Sequence, residues 1–386
     1  MRKEYLMTPG PTPVPPEVLV SQARPIFHHR TPRYTNILVS VEEDLKKIFQ
    51  TKNDILIFAA SGTGAMESAV SNLFSAGDKV IVGSNGKFGD RLVQLSEAYG
   101  LNPIKLEYEW DQVVNPADIE KHLKEDSNNE IKGVLAVQSE TSTGILNDVK
   151  TIGNVVKDYP AVLVVDSITG LGAVEVKTDE WNLDVVMTGS QKGLMLPPGL
   201  CCVSVSEKAW KAVESSTLPK FYFSYEKSRK ALHKASPTNP FTPPVSLMVG
   251  LQEALKMMRE EGLENVIKRH ALLAEAVRQG VQAIGLELFA PPEGRGDAVT
   301  PVRVPGGIDG TQIVKIMRDK YGITIAGGQE HLKGKIFRIG HLGYFDRFDI
   351  IVALAGVEMA LCELGYPFKL GSAVAAAQKV FMENPL

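Results

Sequence analysis

The sequence predicts an α/β fold: a large domain with a mostly parallel seven-stranded sheet sandwiched by helices, then a smaller α+β C-terminal domain. Three observations carry this expectation. From about residue 50 to 206, seven short β-branched apolar runs alternate with stretches of helical periodicity, as strands buried on both faces and joined by crossover helices do. At 386 residues the chain exceeds the roughly 100–200 residues that one core usually organises. Beyond about residue 217 the alternation gives way to irregular chain and then to a separate set of helices and strands. The division this implies is an arm over residues 1–17, a large domain over 18–262 and a small domain over 263–386.

In chain order, Thr8-Pro-Gly-Pro-Thr-Pro-Val-Pro-Pro16 is rich enough in proline to forbid a regular helix or a central strand, so it reads as an extended arm. The strand candidates are Ile55 to Phe58, Lys79 to Val82, Ile104 to Leu106, Val134 to Val137, Val162 to Val165, Val185 to Met187 and Cys202 to Val205. Between the first two, Ala65, Met66, Ala69, Val70, Leu73 and Phe74 recur at helical spacing, with Gly77 as the expected C-cap. Ser236 to Val245 is again proline-rich and leads into a helix bearing Leu247, Val249, Leu251 and Leu255. A long helical pattern over about 263–284 follows, and the strand candidates Ala298 to Val304 and Lys335 to Ile339 flank two more helices.

Composition narrows the function. Lysine and arginine number 42 against 45 acidic residues, a net charge of −3 without blocks of either sign, so neither nucleic acid nor an anionic membrane is an expected partner. Three cysteines, two of them adjacent at 201 and 202, form no disulfide framework, which fits a reducing, cytoplasmic setting. The start lacks the apolar core of a signal peptide, and uncharged stretches fall well short of the ~18–20 residues of a membrane span. His28 and His29 have no third ligand at metal spacing, so no metal site is expected; they are read as shaping the mouth of a site. The cysteines, Cys362 included, read as core.

Three motifs bear on chemistry. Ala60-Ser61-Gly62-Thr63-Gly64 joins a strand to a helix, and a small hydroxyl-rich turn there presents free N–H groups and the positive end of the dipole to a phosphate. Val162 to Asp166 is an apolar strand ending in a carboxylate, at the edge where open parallel sheets bind ligands. Asp184 to Gly193 runs from a strand into a small-residue turn bearing Lys192, an amine suited to a Schiff base once desolvated. Each alone has a plain structural explanation: a glycine-rich turn, an N-cap, a surface lysine. Together, a phosphate-binding helix start, an Asp for a pyridinium nitrogen and a lysine are the set that pyridoxal 5'-phosphate requires.

The sequence resembles the fold-type I, class V aminotransferases, within them the alanine:glyoxylate, serine:glyoxylate and serine:pyruvate group. The resemblance runs through Thr8-Pro-Gly-Pro11, His29-Arg30-Thr31-Pro32, Ser61-Gly62-Thr63, Glu140-Thr-Ser-Thr-Gly144, Asp166-Ser167, Gly189-Ser-Gln-Lys-Gly193, Thr242-Pro-Pro-Val245 and Phe337-Arg-Ile-Gly340. It implies that Lys192 holds the cofactor as a Schiff base and shuttles the substrate proton, while Asp166 keeps the pyridine nitrogen protonated. Thr141 is expected on the phenolic oxygen, and Ser61, Gly62, Thr63 and Gln191 on the phosphate. Phe88 stands where the family stacks an aromatic ring, often Trp, on the pyridine. Arg338 would clamp the substrate α-carboxylate with a two-pronged guanidinium. Thr242, and Asn239 in a place where relatives often carry tyrosine, would serve the phosphate of the neighbouring subunit, which implies a homodimer.

The expected activity is transfer of nitrogen from serine or alanine to glyoxylate or pyruvate. Aspartate, phosphoserine and 2-aminoethylphosphonate are alternative donors. A cysteine desulfurase is disfavoured, because Gln191 stands where that branch carries His before the lysine. A nucleotide-binding dehydrogenase or redox-complex subunit is disfavoured as well, since Glu67 replaces the third glycine and no acid sits about 20 residues on.

Overall fold

The structure is a computed structural model and describes residues 3–384. After β1 (Tyr5–Leu6), α1 (Pro16–Gln22) and α2 (Pro32–Phe49) come β2 (Asp54–Phe58), α3 (Gly62–Leu73), β3 (Lys79–Ser84), α4 (Lys87–Ala98) and β4 (Asn102–Glu107). Then follow α5 (Pro116–Glu125), β5 (Ile131–Val137), the short pair β6 (Ser139–Glu140) and β7 (Ile145–Leu146), α6 (Val149–Val156), β8 (Val162–Asp166), β9 (Val185–Gly189) and β10 (Cys201–Val205). Proline occupies the first turn of α1, α2 and α5, where its missing N–H costs nothing and its fixed φ is already helical.

All seven strand runs enter one sheet of order β2-β10-β9-β8-β5-β3-β4. Only β10 runs against its neighbours. Because strand side chains alternate, Ile55 and Ile57 face a core shared with α2, α5, α6 and α9 (Val245–Glu261), while Leu56 and Phe58 face a second core shared with α3, α4, α7 (Glu207–Ser215) and α8 (Tyr225–Leu232). The other central strands divide the same way, which is why they read as unbroken apolar runs.

A third core is built from α10 (Leu263–Ala283), β11 (Val299–Arg303), α11 (Gly310–Tyr321), β12 (Ile323–Thr324), β14 (Ile336–Gly340), α12 (Arg347–Glu363) and α13 (Ser372–Glu383). The sheet here has order β11-β14-β13, with β13 at Ala326–Gly327. Of the α-helices only α11 lies between the two sequence-predicted strands, with β12 and β13; α12 and α13 follow the second. The arm is tied to this core, since β1 pairs in parallel with β12 and Met7 is buried among its residues.

Two details depart from expectation. Helix α3 ends at Leu73, and Gly77 instead sits at φ +88° in the next turn, donating to Gly100 O at 2.8 Å, because Phe74 turns out of the helix into the core. Cys362 is exposed: on α12 the neighbouring Ala360 and Leu361 take the buried positions, and one residue further along the helix is a rotation of about 100°. Cys201 and Cys202 are buried as expected, with burial pushing the Cys201 thiol up to about 12. Among the described residues no helix is long and apolar enough to cross a membrane.

Candidate active site

In this sheet the carboxyl ends of β2, β3, β5, β8 and β9 share one edge, because those strands run the same way. A cleft of about 290 Å³ opens there, lined by Ser61, Gly62, Thr63, Phe88, Thr141, Asp166, Gln191 and Lys192, together with Gly10, Pro11, Arg91 and Thr169. Eight sequence-predicted residues from five separate segments of the chain thus meet in one place.

Lys192 is buried, and its Nζ donates to Pro9 O at 2.5 Å. The arm passes close because residue 10 is glycine: a Cβ there would lie 2.4 Å from Nζ. Burial brings the amine down to about 8; the Arg338 charge acts in the same direction, and Asp166 and Glu140 oppose it. Asp166 is buried at the end of β8, and its Oδ1 accepts the Ile168 N–H at 2.8 Å. Burial raises this carboxyl to about 7, with Glu140 adding repulsion and Lys192 and Arg91 pulling the other way. Such an acid favours a cationic partner, because a nearby positive charge restores the carboxylate.

The first turn of α3 is uncapped by any side chain; Ser61 lies extended before it. The N–H groups of Gly62, Thr63 and Gly64 therefore face outward without helical partners. Gly62 leaves room for Ile168, which a Cβ would meet at 2.5 Å, and Gly189 leaves room for Gln191, whose Oε1 is buried without a partner. The first turn of α4 differs. Glu140 Oε2 accepts from the N–H groups of Phe88 and Gly89 at 2.9 and 3.1 Å, and Ser142 Oγ accepts from Lys87 N–H at 3.0 Å. One helix start is closed by the protein's own carboxylate, and the other is open to an anion from outside.

Arg338 is buried on β14. Its Nε and Nη2 donate to Gly327 O at 3.0 and 2.8 Å, and its Nη1 to Thr141 O at 2.8 Å. No carboxylate pairs with it among the described residues, and burial lowers its pKa to about 10. Thr141 Oγ1 lies 2.6 Å from Thr169 Oγ1, so Thr141 joins the arginine to the cleft.

Asn239 and Thr242 do not reach this cleft within one chain. They line a separate groove with Tyr222 and Phe241, where Asn239 Oδ1 accepts from the Tyr34 hydroxyl. His28 and His29 also stand outside the cleft lining, with His29 beside Tyr34. Two charged residues in or against the cleft were not singled out from sequence: Arg91, one turn past Phe88 on α4, and the buried Glu140. The first was legible as an i, i+3 neighbour of Phe88. The second lay inside the Glu140 to Gly144 motif, with nothing to signal a buried role.

These residues fit pyridoxal 5'-phosphate: an open helix start and hydroxyls for the phosphate, a buried carboxylate for the ring nitrogen, and a buried amine for the aldehyde carbon. The chain matches the family described as Aminotransferase class-V over residues 4–341. It is 40% identical over 395 residues to the serine--glyoxylate aminotransferase of Methylorubrum extorquens, covering 100% of this chain and 97% of that one. It is 47% identical over 380 residues to a protein of Synechococcus sp. named soluble hydrogenase, small subunit, covering 98% of both. The crystal structure of the ureidoglycine-glyoxylate aminotransferase from Bacillus subtilis superposes with a TM-score of 0.94 at 32% identity, covering 100% of this chain and 99% of that one. The chain therefore belongs to the class V aminotransferases, and it is a pyridoxal 5'-phosphate-dependent enzyme of the fold-type I architecture.

Proposed function

We propose that this aminotransferase moves the amino group of a small L-amino acid, serine or alanine, to a small 2-oxo acid, glyoxylate first among them. The observation that carries the reading is Arg338: a buried guanidinium that forms no ion pair among the described residues, oriented by two backbone carbonyls and near enough for its charge to act on Lys192. A carboxylate is the ligand such a group lacks. Relatives named for serine and aspartate as donors and glyoxylate as acceptor support the class of substrate.

In this reading Arg338 fixes the substrate carboxylate, and so sets Cα near Lys192. Ser61, Gly62, Thr63 and Gln191 anchor the phosphate, Thr141 the phenolic oxygen, and Phe88 covers one ring face. Asp166 holds the proton on the pyridine nitrogen. Bound pyridoxal 5'-phosphate supplies an electron-withdrawing ring that accepts the electron pair left when the Cα proton departs. Lys192 would hold the cofactor at its aldehyde carbon and, as a free amine, would take the proton from the substrate Cα and hand it back to complete the transfer; an amine lowered to about 8 suits both tasks. With the 2-oxo acid in place of the amino acid, Arg338 would hold its carboxylate and Lys192 would move the proton in the opposite direction.

We further infer a homodimer in which Asn239 and Thr242 serve the neighbouring site. They lie on an exposed patch where Phe221, Tyr222 and Phe241 cluster with ring centroids 5.5 Å apart. A cytoplasmic location and a domain boundary after residue 262 complete the reading; just past that boundary Leu263 and Val266 still pack on the first core, and the third core takes over from Leu273.

The test is the visible absorption of the purified protein before and after L-serine, L-alanine or L-aspartate, with Lys192→Ala beside it. Bleaching by serine or alanine, recovery on glyoxylate, and no lysine-bound absorption in Lys192→Ala are expected. Response to aspartate alone would move the donor assignment, and failure to take up the cofactor would overturn the reading.

A further inference from the structure

The cleft contains a cation that the reading above does not use. Arg91 stands one turn after Phe88 on α4, half-buried, and lines the cleft between Phe88 and the start of α3. Its Nη1 donates to Thr63 Oγ1 at 3.1 Å, and its guanidinium carbon lies 4.6 Å from the centroid of the Phe88 ring. Among the described residues no acid forms an ion pair with it.

Charge balance points to its purpose. The groups assigned to the phosphate, Ser61, Gly62, Thr63 and Gln191, are all neutral, while a phosphate monoester brings a charge of about −1.5 to −2. The α3 dipole offers roughly half an elementary charge. Of the other cations near the cleft, Lys192 is committed to the aldehyde carbon, and Arg338 is held on Gly327 O and Thr141 O on the side of the small sheet. Arg91 is the full positive charge on the Thr63 side. Its contact with Phe88 adds a mechanical link, since one side chain backs the ring expected to stack on the pyridine and also holds the hydroxyl expected to hold the phosphate.

We infer that Arg91 is the charge partner of the cofactor phosphate and braces Phe88 at the same time. The inference rests on the assignment of the cleft to pyridoxal 5'-phosphate. It is tested on the full-length protein, stripped of cofactor and titrated separately with pyridoxal 5'-phosphate and with pyridoxal, which lacks the phosphate, while the visible absorption of the lysine-bound ring is followed. Arg91→Gln is expected to weaken pyridoxal 5'-phosphate by about ten- to a hundredfold and pyridoxal, which feels only the loosened Phe88, by severalfold less. Arg91→Lys, which keeps the charge but not the fork, is expected to fall between; should Arg91→Gln not fold, Arg91→Lys decides by the same comparison.

Equal weakening of both ligands would overturn the inference and leave Arg91 a support for Phe88 alone. Unchanged cofactor affinity with a raised KM for L-aspartate, and not for L-serine, would also overturn it and make Arg91 a reader of the donor side chain. Failure of the wild-type protein to bind either ligand would be distinct from both, because it would remove the cofactor assignment itself.

Discussion

The carboxylate of Glu140 holds the backbone N–H of Phe88 at 2.9 Å, and with Gly89 and Ser142 it closes the start of α4 from inside the protein. The contact is intimate because residue 86 is glycine; a Cβ there would lie 2.4 Å from the Glu140 carboxyl carbon. Burial raises the Glu140 pKa, and its hydrogen bonds oppose that rise. The position of the ring over the cleft is thus fixed by a residue that is not expected to touch the cofactor.

Glu140→Gln should therefore loosen Phe88. Replacing a charge-assisted acceptor by an amide that turns one N–H2 toward donors should cost about 1.5–3 kcal/mol of stability. The expected result is a lower melting temperature together with a changed circular dichroism of the bound cofactor. A variant that loses stability and keeps the cofactor signal unaltered would limit Glu140 to a structural role.

Arg338→Lys keeps the charge and loses the two-pronged geometry. A fall of about ten- to a hundredfold in kcat/KM is expected, mostly in KM, with cofactor absorption retained. The same fall in kcat at unchanged KM would mean that Arg338 does not bind the ground-state substrate.

His270 is fully buried on α10, its Nδ1 2.6 Å from Val266 O, and its Nε2 accepts the Gly343 N–H at 2.8 Å. Burial, aided by the Arg269 charge, pushes its pKa down to about 3. The unfolded chain takes up this proton near pH 6.5 and the folded chain refuses it until about pH 3. Its contribution to stability is complete above about 6.5 and is lost as pH falls through that window, by about 1.4 kcal/mol per pH unit. Urea unfolding at pH 7 and pH 5 should show that loss in the wild type, with a correspondingly smaller slope in His270→Gln. Equal slopes would place the acid sensitivity elsewhere.

Phe221 is 70% exposed and sits in the aromatic cluster beside Thr242. Phe221→Glu should shift the protein toward monomer in light scattering and release cofactor, since the neighbouring chain would no longer complete the phosphate site. A dimer of undiminished stability would mean that another face pairs the subunits.

The repeated apolar runs determined the α/β class, because a strand buried on both faces must be apolar throughout, and no other structure satisfies seven such runs between helical patterns. Lys192, Asp166 and Ser61 to Thr63 were legible because each stands where a strand ends, the edge at which parallel sheets bind ligands. What the linear chain does not carry is distance. Arg338 differs from any surface-strand arginine only once Gly327 O and Thr141 O are seen to hold it inside the protein. Glu140 and Arg91 acquire meaning from contacts across 52 and 28 positions of sequence. Cys362 shows the reverse limit, since a run such as Ala360-Leu-Cys-Glu-Leu364 does not specify which side of the helix meets the core. Local pattern fixes how the chain bends, but burial and charge pairing exist only after remote segments have met, and those two quantities set the chemistry of the site.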